Sequence, residues 1–103
     1  MEDTTQPENT EPFDEAQVKR ELSVLTGWKY DTGTIRKQYT FASFRDSIAF
    51  VNRVADLAEA ADHHPDIMIW YKVVTIVLTT HEIAGISKKD ITLAIKIDMV
   101  QNN

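Results

Sequence analysis

The sequence predicts an α+β fold in which helices cover one face of a four-stranded antiparallel sheet. Three observations support this prediction: three helix N-cap signatures, two pairs of β-rich segments each joined by a short turn, and a polar face along the first pair. Strands joined by hairpins pair antiparallel, and a strand pair with one polar face needs a cover on one side only. The predicted order of elements is α-β-β-α-β-β-α.

The first helix is predicted over residues 15–25, because Asp14 is an N-cap residue and Gly27 supplies a left-handed stop. A hairpin is expected next. Its strands are residues 28–30 and 35–41, and its turn lies at residues 31–33. Apolar and polar residues alternate along the second of these strands, which is typical of a strand with one buried face.

The second helix is predicted to begin after Ser43, which has Asp46 three residues later, and to run to about Ala61. Its apolar residues form two adjoining stripes that cover about half of its circumference. A helix with so wide an apolar face is either sunk deep in its own domain or in contact with another subunit. One of the two stripes consists of Phe50, Val54, Leu57 and Ala61.

A second hairpin is predicted from Asp66–Trp70 and residues 73–80, with its turn at Tyr71-Lys72. A loop over residues 82–86 follows, and then a third capping signature over residues 87–90. The apolar residues after this signature alternate with period two, so a strand is the alternative there. The capping signature and the length of the segment favour a helix of about 14 residues.

Composition limits the classes of protein to consider. The 103 residues fit one domain, predicted over residues 13–103, while the acidic first 12 residues predict a disordered tail. The absence of cysteine excludes disulfides, thiol catalysis and cysteine-ligated metals. A net charge of −5 without a basic stripe argues against direct nucleic-acid binding. We find no apolar run long enough for a membrane span and no signal peptide, so the cytosol is the expected compartment, with the nucleus as an alternative.

All three histidines lie within residues 59–81. If the second hairpin turns at Tyr71-Lys72, His81 lies opposite residue 62 or 63, so His63 and His81 are expected side by side at its open end. Pro65 biases His64 towards an extended backbone, which predicts different roles for the two adjacent histidines. Imidazoles exchange protons near neutral pH, so a pair suits general acid/base catalysis.

The competing chemical interpretation is a metal site formed by His63, His81 and a carboxylate such as Glu82. Zinc and iron accept such ligand sets. Typical signatures place two ligands at helical spacing, however, and these residues lack that spacing. A catalytic serine in a glycine-rich turn and a phosphate-binding glycine loop are both absent from the sequence.

The spacing of Glu59, His63-His64-Pro65, Tyr71, His81 and Asp90 resembles the signature of the pterin-4a-carbinolamine dehydratases. The similarity extends over most of the chain, from residues 25–28 through residues 79–82 and 84–87. The resemblance implies an α+β fold that is usually assembled into dimers or tetramers. It also implies dehydration of 4a-hydroxytetrahydrobiopterin to quinonoid dihydropterin, in tetrahydrobiopterin recycling, without a metal or other cofactor.

Carried over by position, the resemblance implies that the three histidines are catalytic and that Glu59 and Asp90 orient imidazoles. The chain departs from many relatives at Ile67, where they have an aromatic residue. The residues implied to bind the pterin substrate are His63, His64, Pro65, Thr79, Thr80, His81 and Glu82.

A second function is also implied by the resemblance, because animal relatives act as dimerisation cofactors of a homeodomain transcription factor. They bind the protein rather than the DNA, through a helix face. In this chain the stripe of Phe50, Val54, Leu57 and Ala61 is the candidate surface. The same stripe would serve a homodimer or homotetramer equally well.

Overall fold

A computed structural model describes residues 11–101 of the chain. The predicted element order and the four-stranded antiparallel sheet are confirmed. Of the predicted tail, residues 1–10 lie outside the described part. The helices are α1 (Glu15–Leu22), α2 (Phe44–Ala61) and α3 (Lys88–Met99), and the strands are β1 (Lys29–Asp31), β2 (Thr34–Thr40), β3 (Asp66–Trp70) and β4 (Val73–Leu78).

The strands lie in the order β1-β2-β4-β3, and each neighbouring pair is antiparallel. Because side chains alternate along a strand, one face of the sheet carries Ile35 and Tyr39 of β2 together with Val74 and Ile76 of β4. All four are buried and belong to the hydrophobic core, which the helices complete from that side. The opposite face of the sheet is not covered by a helix of the described residues.

The buried face of α2 consists of Ser47, Phe50, Val54 and Ala58, which recur at helical spacing. The Phe50 ring lies 4.7 Å, centroid to centroid, from the Tyr39 ring of the sheet. Since Phe50 and Val54 are fully buried in the domain's own core, the prediction that their stripe is a docking surface is wrong. The side of α2 that faces outward begins with Phe44, whose residue surface is 49% exposed.

Two predicted boundaries are corrected. The first helix ends at Leu22 rather than at residue 25, because the Ser23 hydroxyl and backbone N–H both bond to the Arg20 carbonyl and close the last turn. The last strand ends at Leu78 rather than at residue 80. Beyond Leu78 the chain leaves β2, and Thr80 forms only an isolated bridge with Gly85.

The ambiguous last segment is helical, as the capping signature predicted. The Ser87 hydroxyl accepts from a backbone N–H of the first turn of α3, and the Asp90 carboxylate accepts from the Ser87 backbone N–H. The helix packs on the core through Ile91, Ala94 and Ile97, which follow helical spacing. No helix within residues 11–101 combines the length and the apolar character that crossing a membrane requires.

Candidate active site

The backbone of the second hairpin brings the histidine segments to one end of the sheet. Asp66 pairs with Val77 and Trp70 with Val73, so the predicted register is confirmed, and Tyr71 makes the turn with a positive φ of 56°. The beginning of β3 and the end of β4 therefore lie side by side. The His63-His64-Pro65 segment leads into the beginning of β3, and His81 follows the end of β4.

His63 is positioned by the end of α2 and by α3. Asp62 adopts a left-handed conformation with φ of 51°, which lets the His63 backbone N–H donate to the Ala58 carbonyl. The His63 imidazole is then buried, with 8% of the residue surface exposed, and its Nε2 lies 2.7 Å from Oδ1 of Asp90. Asp90 is itself fully buried. A histidine at the end of one helix is thus held by a carboxylate in the first turn of another.

The Asp90 carboxylate receives three donors. Oδ1 faces His63, and Oδ2 accepts from the Thr80 hydroxyl at 2.7 Å and from the Ser87 backbone N–H at 3.0 Å. An ionised carboxylate only accepts hydrogen bonds, so with Asp90 in that form the Nε2 atom of His63 carries the hydrogen. The Nδ1 atom of His63 is then the nitrogen left to exchange a proton.

Thr80 and Ser87 extend this arrangement into a chain with a defined direction. Because the Thr80 hydroxyl hydrogen is used on Asp90, the Ser87 hydroxyl must donate to Thr80 across their 2.7 Å separation. The Ser87 hydroxyl accepts in turn from the Lys89 backbone N–H. Thr80 and Ser87 are fully buried. The side chain of Thr80 therefore holds Asp90 and, like that of His63, is buried, whereas His64, His81 and Glu82 of the residues implied to bind substrate are exposed.

His64 lies on the exposed side of the same segment. Its Nε2 is 2.6 Å from Oε2 of Glu59, which lies in the last turn of α2. Both side chains are more than half exposed, so the attraction between them is screened by solvent. The predicted difference between the two adjacent histidines is visible here, since one is buried on Asp90 and the other is exposed on Glu59.

The remaining residues of the predicted site are less buried than His63. His81 and Glu82 are exposed in a short 3-10 turn, and Pro65 and Thr79 are partly buried. No hydrogen bond within residues 11–101 joins His63 directly to His81. The two are linked through Asp90 and Thr80, the residue that immediately precedes His81.

Apart from Asp90, sequence reasoning did not identify the neighbours of His63 on α3. A hollow of about 160 Å³ beside this histidine is lined in part by Lys89, Thr92 and Lys96. These three residues lie along α3, from its first turn to its last, at spacings of three and four that bring them to one side. That signal becomes visible only once the segment is known to be a helix. Two cationic side chains thus border the buried His63–Asp90 pair.

The geometry also bears on the metal-site interpretation. Within residues 11–101, no three His, Asp or Glu side chains gather closely enough to hold a metal ion. The predicted ligands are separated because His63 turns towards Asp90, while His81 and Glu82 lie in the exposed 3-10 turn.

Comparisons with known proteins agree with this arrangement. The family model described as pterin 4 alpha carbinolamine dehydratase matches residues 11–100. A relative from Thermomicrobium roseum, provisionally assigned as a pterin-4-alpha-carbinolamine dehydratase, is 48% identical over 85 residues, which cover 82% of this chain and 91% of the relative. One from Sulfolobus acidocaldarius with the same provisional assignment is 38% identical over 89 residues, covering 86% and 98%.

The structural comparison gives the same family. A crystal structure from Brucella melitensis, titled as a transcriptional coactivator/pterin dehydratase, superposes with a TM-score of 0.86 at 28% sequence identity. It covers 89% of this chain and 100% of that one. The match of the family model over nearly the whole described domain, together with these relatives, shows that the chain belongs to the pterin-4a-carbinolamine dehydratase family.

Proposed function

We propose that the protein dehydrates 4a-hydroxytetrahydrobiopterin to quinonoid dihydropterin and water by histidine general acid/base catalysis. In this role it would regenerate tetrahydrobiopterin after aromatic amino acid hydroxylation. The observation that supports the proposal most strongly is the buried contact of His63 with Oδ1 of Asp90. The second oxygen of that carboxylate accepts a hydrogen bond from Thr80, the residue before His81. The buried Asp90 carboxylate orients the His63 imidazole through one ring nitrogen, and the other ring nitrogen is then placed to transfer a proton.

The reaction needs two proton transfers. One proton goes to the departing 4a-hydroxyl oxygen as the carbon–oxygen bond breaks, and another leaves a ring N–H, so that the products are a neutral pterin and water. His63 and His81 are assigned to these transfers, one as acid and one as base. Asp90 fixes the hydrogen of His63 on Nε2, which keeps Nδ1 available in either protonation state. His64, held by Glu59 on the exposed side, is assigned to substrate binding.

The direct test is turnover of a synthetic 4a-hydroxytetrahydropterin, followed by ultraviolet absorbance. The expected result is formation of the quinonoid product faster than the uncatalysed dehydration, with saturation in substrate. Absence of any acceleration by the folded protein would overturn the proposal.

A second measurement separates this mechanism from metal catalysis. Treatment with a chelator such as EDTA should leave turnover unchanged, because the proposed acid and base are imidazoles. Loss of activity on chelation that zinc restores would instead assign His63 and His81 to a metal. Turnover of apo protein and zinc-supplemented protein, compared at the same pH, decides between the two.

Self-association is proposed as well, because several large apolar side chains are exposed outside the core. At the turn between β3 and β4, Tyr71 is 66% exposed, and Phe44 and Ile69 also face outward. Burial of such surfaces between copies would favour a homodimer or homotetramer. Light scattering at micromolar concentration should therefore give a mass above that of one chain, and a monomer would contradict the expectation.

A coactivator role is the second candidate function. Two observations favour it: the Brucella relative is titled a coactivator, and the outward side of α2 has an open hollow of about 460 Å³. The lining of that hollow is apolar at Phe44, Ile48 and Ala49 and polar at Arg45 and Asn52.

A pull-down with the dimerisation helix of a homeodomain factor tests this role. Binding should be lost in Ala49→Glu, which places a charge in the hollow. The matched control is Ala55→Glu, the same change at an exposed alanine of α2 outside the hollow, and it should bind as the wild type does. No capture by the wild type would exclude the coactivator role.

A further inference from the structure

The second face of the sheet carries groups that neither the core nor the candidate active site uses. By register, Gln38 of β2, Thr75 of β4 and Met68 of β3 lie in one row across this face. Arg36 lies in the next row towards one end of the sheet, and Trp70 in the next row towards the other end. No helix of the described residues covers these side chains, so they are available to a ligand.

A hollow of about 380 Å³ lies over this face, within the range of small-molecule sites. Thr75 is one of the residues that line it, and it is flanked in the sheet by the longer side chains of Gln38 and Met68. This difference in length makes a depression at the middle of the row. Gly27 also lines the hollow and contributes no side chain to fill it.

The hydroxyl of Thr75 is unusual in the described part of the chain. Thr75 is only 4% exposed, and its Oγ1 is the single buried side-chain oxygen or nitrogen within residues 11–101 that has no hydrogen-bond partner. An unpaired buried hydroxyl costs free energy, on the order of 1–3 kcal/mol, unless something supplies the missing bond. Thr75 lines the hollow but its Oγ1 is itself buried, so a bound molecule supplies the missing bond when the side chains over that oxygen shift.

The charges around the hollow indicate the kind of molecule. Lys29 of β1 pairs with Arg36 in the register, so both cations lie on this face in neighbouring strands, and both are exposed. Among the described residues, no carboxylate forms a salt bridge with either of them, and none lines the hollow. At the other side of the hollow, Trp70 offers an aromatic ring and Met68 a polarizable side chain.

From this arrangement we propose that the open face of the sheet binds a small planar aromatic molecule that carries a carboxylate. The ring packs on Trp70 and Met68, a polar atom of the ligand bonds to the Thr75 hydroxyl, and the carboxylate lies between Arg36 and Lys29. Arginine pairs with a carboxylate through two parallel hydrogen bonds, which gives the site its preference for that anion. None of these residues belongs to the candidate active site.

The test is titration of ¹⁵N-labelled protein with 2-naphthoate, compared with neutral 2-naphthamide, followed by amide chemical shifts. The expected result is saturable shifts at Thr75, Gln38 and Met68 and at the Trp70 indole, with clearly weaker binding of the amide. Arg36→Gln should weaken naphthoate binding about tenfold or more, because a charge-assisted hydrogen bond is lost. Thr75→Val should weaken it to a smaller extent, and Thr75→Ser should restore it.

A matched control is Arg20→Gln on α1, an exposed arginine outside the hollow, which should bind naphthoate as the wild type does. The amide spectrum of each variant reports whether it is folded. The proposal is overturned if the neutral amide binds equally well, if the shifts map to His63 and His81, or if biopterin displaces naphthoate. It is also overturned if no shift occurs up to millimolar concentration, which is the result expected if a second copy of the chain covers this face.

Discussion

Helix α3 carries a hydrogen-bonded carboxylate near each of its ends, and the two are used differently. Asp90 in the first turn is fully buried and receives His63, Thr80 and the Ser87 backbone. Asp98 in the last turn has a side chain that is 25% exposed. It accepts from Trp28, Lys37 and Tyr39, all of which lie on β2 or just before β1.

The partners explain the difference in role. Lys37 also donates to the Thr26 carbonyl, so the Asp98 cluster ties the turn after α1, the sheet and α3 to one another. None of its members is a candidate catalytic residue, and its function is to fix the fold. The Asp90 cluster instead ends on a histidine whose second nitrogen makes no hydrogen bond within residues 11–101. Two carboxylates with equal numbers of donors on one helix therefore serve structure at one end and the proposed chemistry at the other.

The strongest test of this comparison is the pair Asp90→Ala and Asp98→Ala. Removing Asp90 leaves three buried groups without a partner and should lower the free energy of unfolding by about 3–5 kcal/mol. Removing Asp98 should cost less, about 1–2 kcal/mol, because water reaches that end of the helix and replaces part of the lost hydrogen bonding. Urea denaturation of the two variants and the wild type at neutral pH measures both differences.

Turnover separates the two carboxylates further. The folded fraction of Asp98→Ala should keep wild-type turnover, whereas Asp90→Asn, which preserves the shape of the side chain, should not. An amide at position 90 offers one acceptor where the carboxylate offers two, so His63 and Thr80 are no longer both satisfied. Equal turnover in the two variants would mean that the Asp90 cluster is structural in the same sense as the other.

The next effect concerns the histidines at the end of the Asp90 cluster. His63→Ala and His81→Ala should each lower the turnover rate roughly tenfold or more, which is the contribution expected of a positioned acid or base. The double variant should lose less than the product of the two single losses, because residues that act as a unit are not additive. His64→Ala should raise KM more than it lowers kcat.

Steady-state kinetics with the synthetic 4a-hydroxytetrahydropterin measures these constants, and far-UV circular dichroism shows that each variant is folded. The Asp98→Ala protein is the control for a general loss of stability. Folded His63→Ala and His81→Ala proteins with full turnover would contradict the acid/base assignment.

Most of the fold could be predicted from the sequence because the signals that define its elements are local. The three capping residues and the hairpin turn at Tyr71-Lys72 each act within a few residues, and the structure has the elements where these signals placed them. The end of α1 was misplaced because Leu25, although buried, is held by a turn rather than by the helix. Apolar spacing alone does not distinguish these two cases.

The candidate site was predicted less completely. The resemblance to the family signature identified its acidic members, Glu59 and Asp90, but not which imidazole each one holds. Asp98 had no local signature at all, because its three donors are far from it in the sequence. Thr80 shows the same limit, since its burial depends on how the Gly85 bridge folds the chain back onto α3. Contacts between distant segments are determined by packing, which a single sequence does not display.

A smaller effect is expected for Thr80, which we propose as a positioning residue. Thr80→Val keeps the volume but removes the donor to Asp90, and the lost bond should lower kcat by roughly tenfold at most and change the pH profile of turnover. Thr80→Ser should restore both. Thr34→Val is the matched control, since the Thr34 hydroxyl donates only to the Asp31 carbonyl at the other hairpin. A pH profile unchanged by Thr80→Val would assign Thr80 to stability alone.

The smallest effect belongs to the Asp98 cluster, in Tyr39→Phe. The hydroxyl of Tyr39 donates to Oδ1 of Asp98 at 2.6 Å, and its ring packs between Trp28 and Phe50. Phenylalanine keeps the ring contacts and loses only the hydrogen bond, so the free energy of unfolding should fall by about 0.5–1.5 kcal/mol at neutral pH without a change in turnover.

The pH dependence of that difference tests its cause. Burial, together with the hydrogen bond to Asp98 and the charge of that carboxylate, raises the pKa of Tyr39 far above its ordinary value of 10.0. The folded protein therefore holds the phenolic proton more tightly than the unfolded chain. The stability that this provides is fully present below about pH 10 and is lost as the pH rises further, since the unfolded chain then releases the proton and the folded one does not. Urea unfolding of the wild type and of Tyr39→Phe at about pH 8 and about pH 11 measures this effect. The difference in the free energy of unfolding between the two proteins should shrink at the higher pH. A difference of the same size at both pH values would mean that Tyr39 ionises as readily in the folded protein as in the unfolded chain.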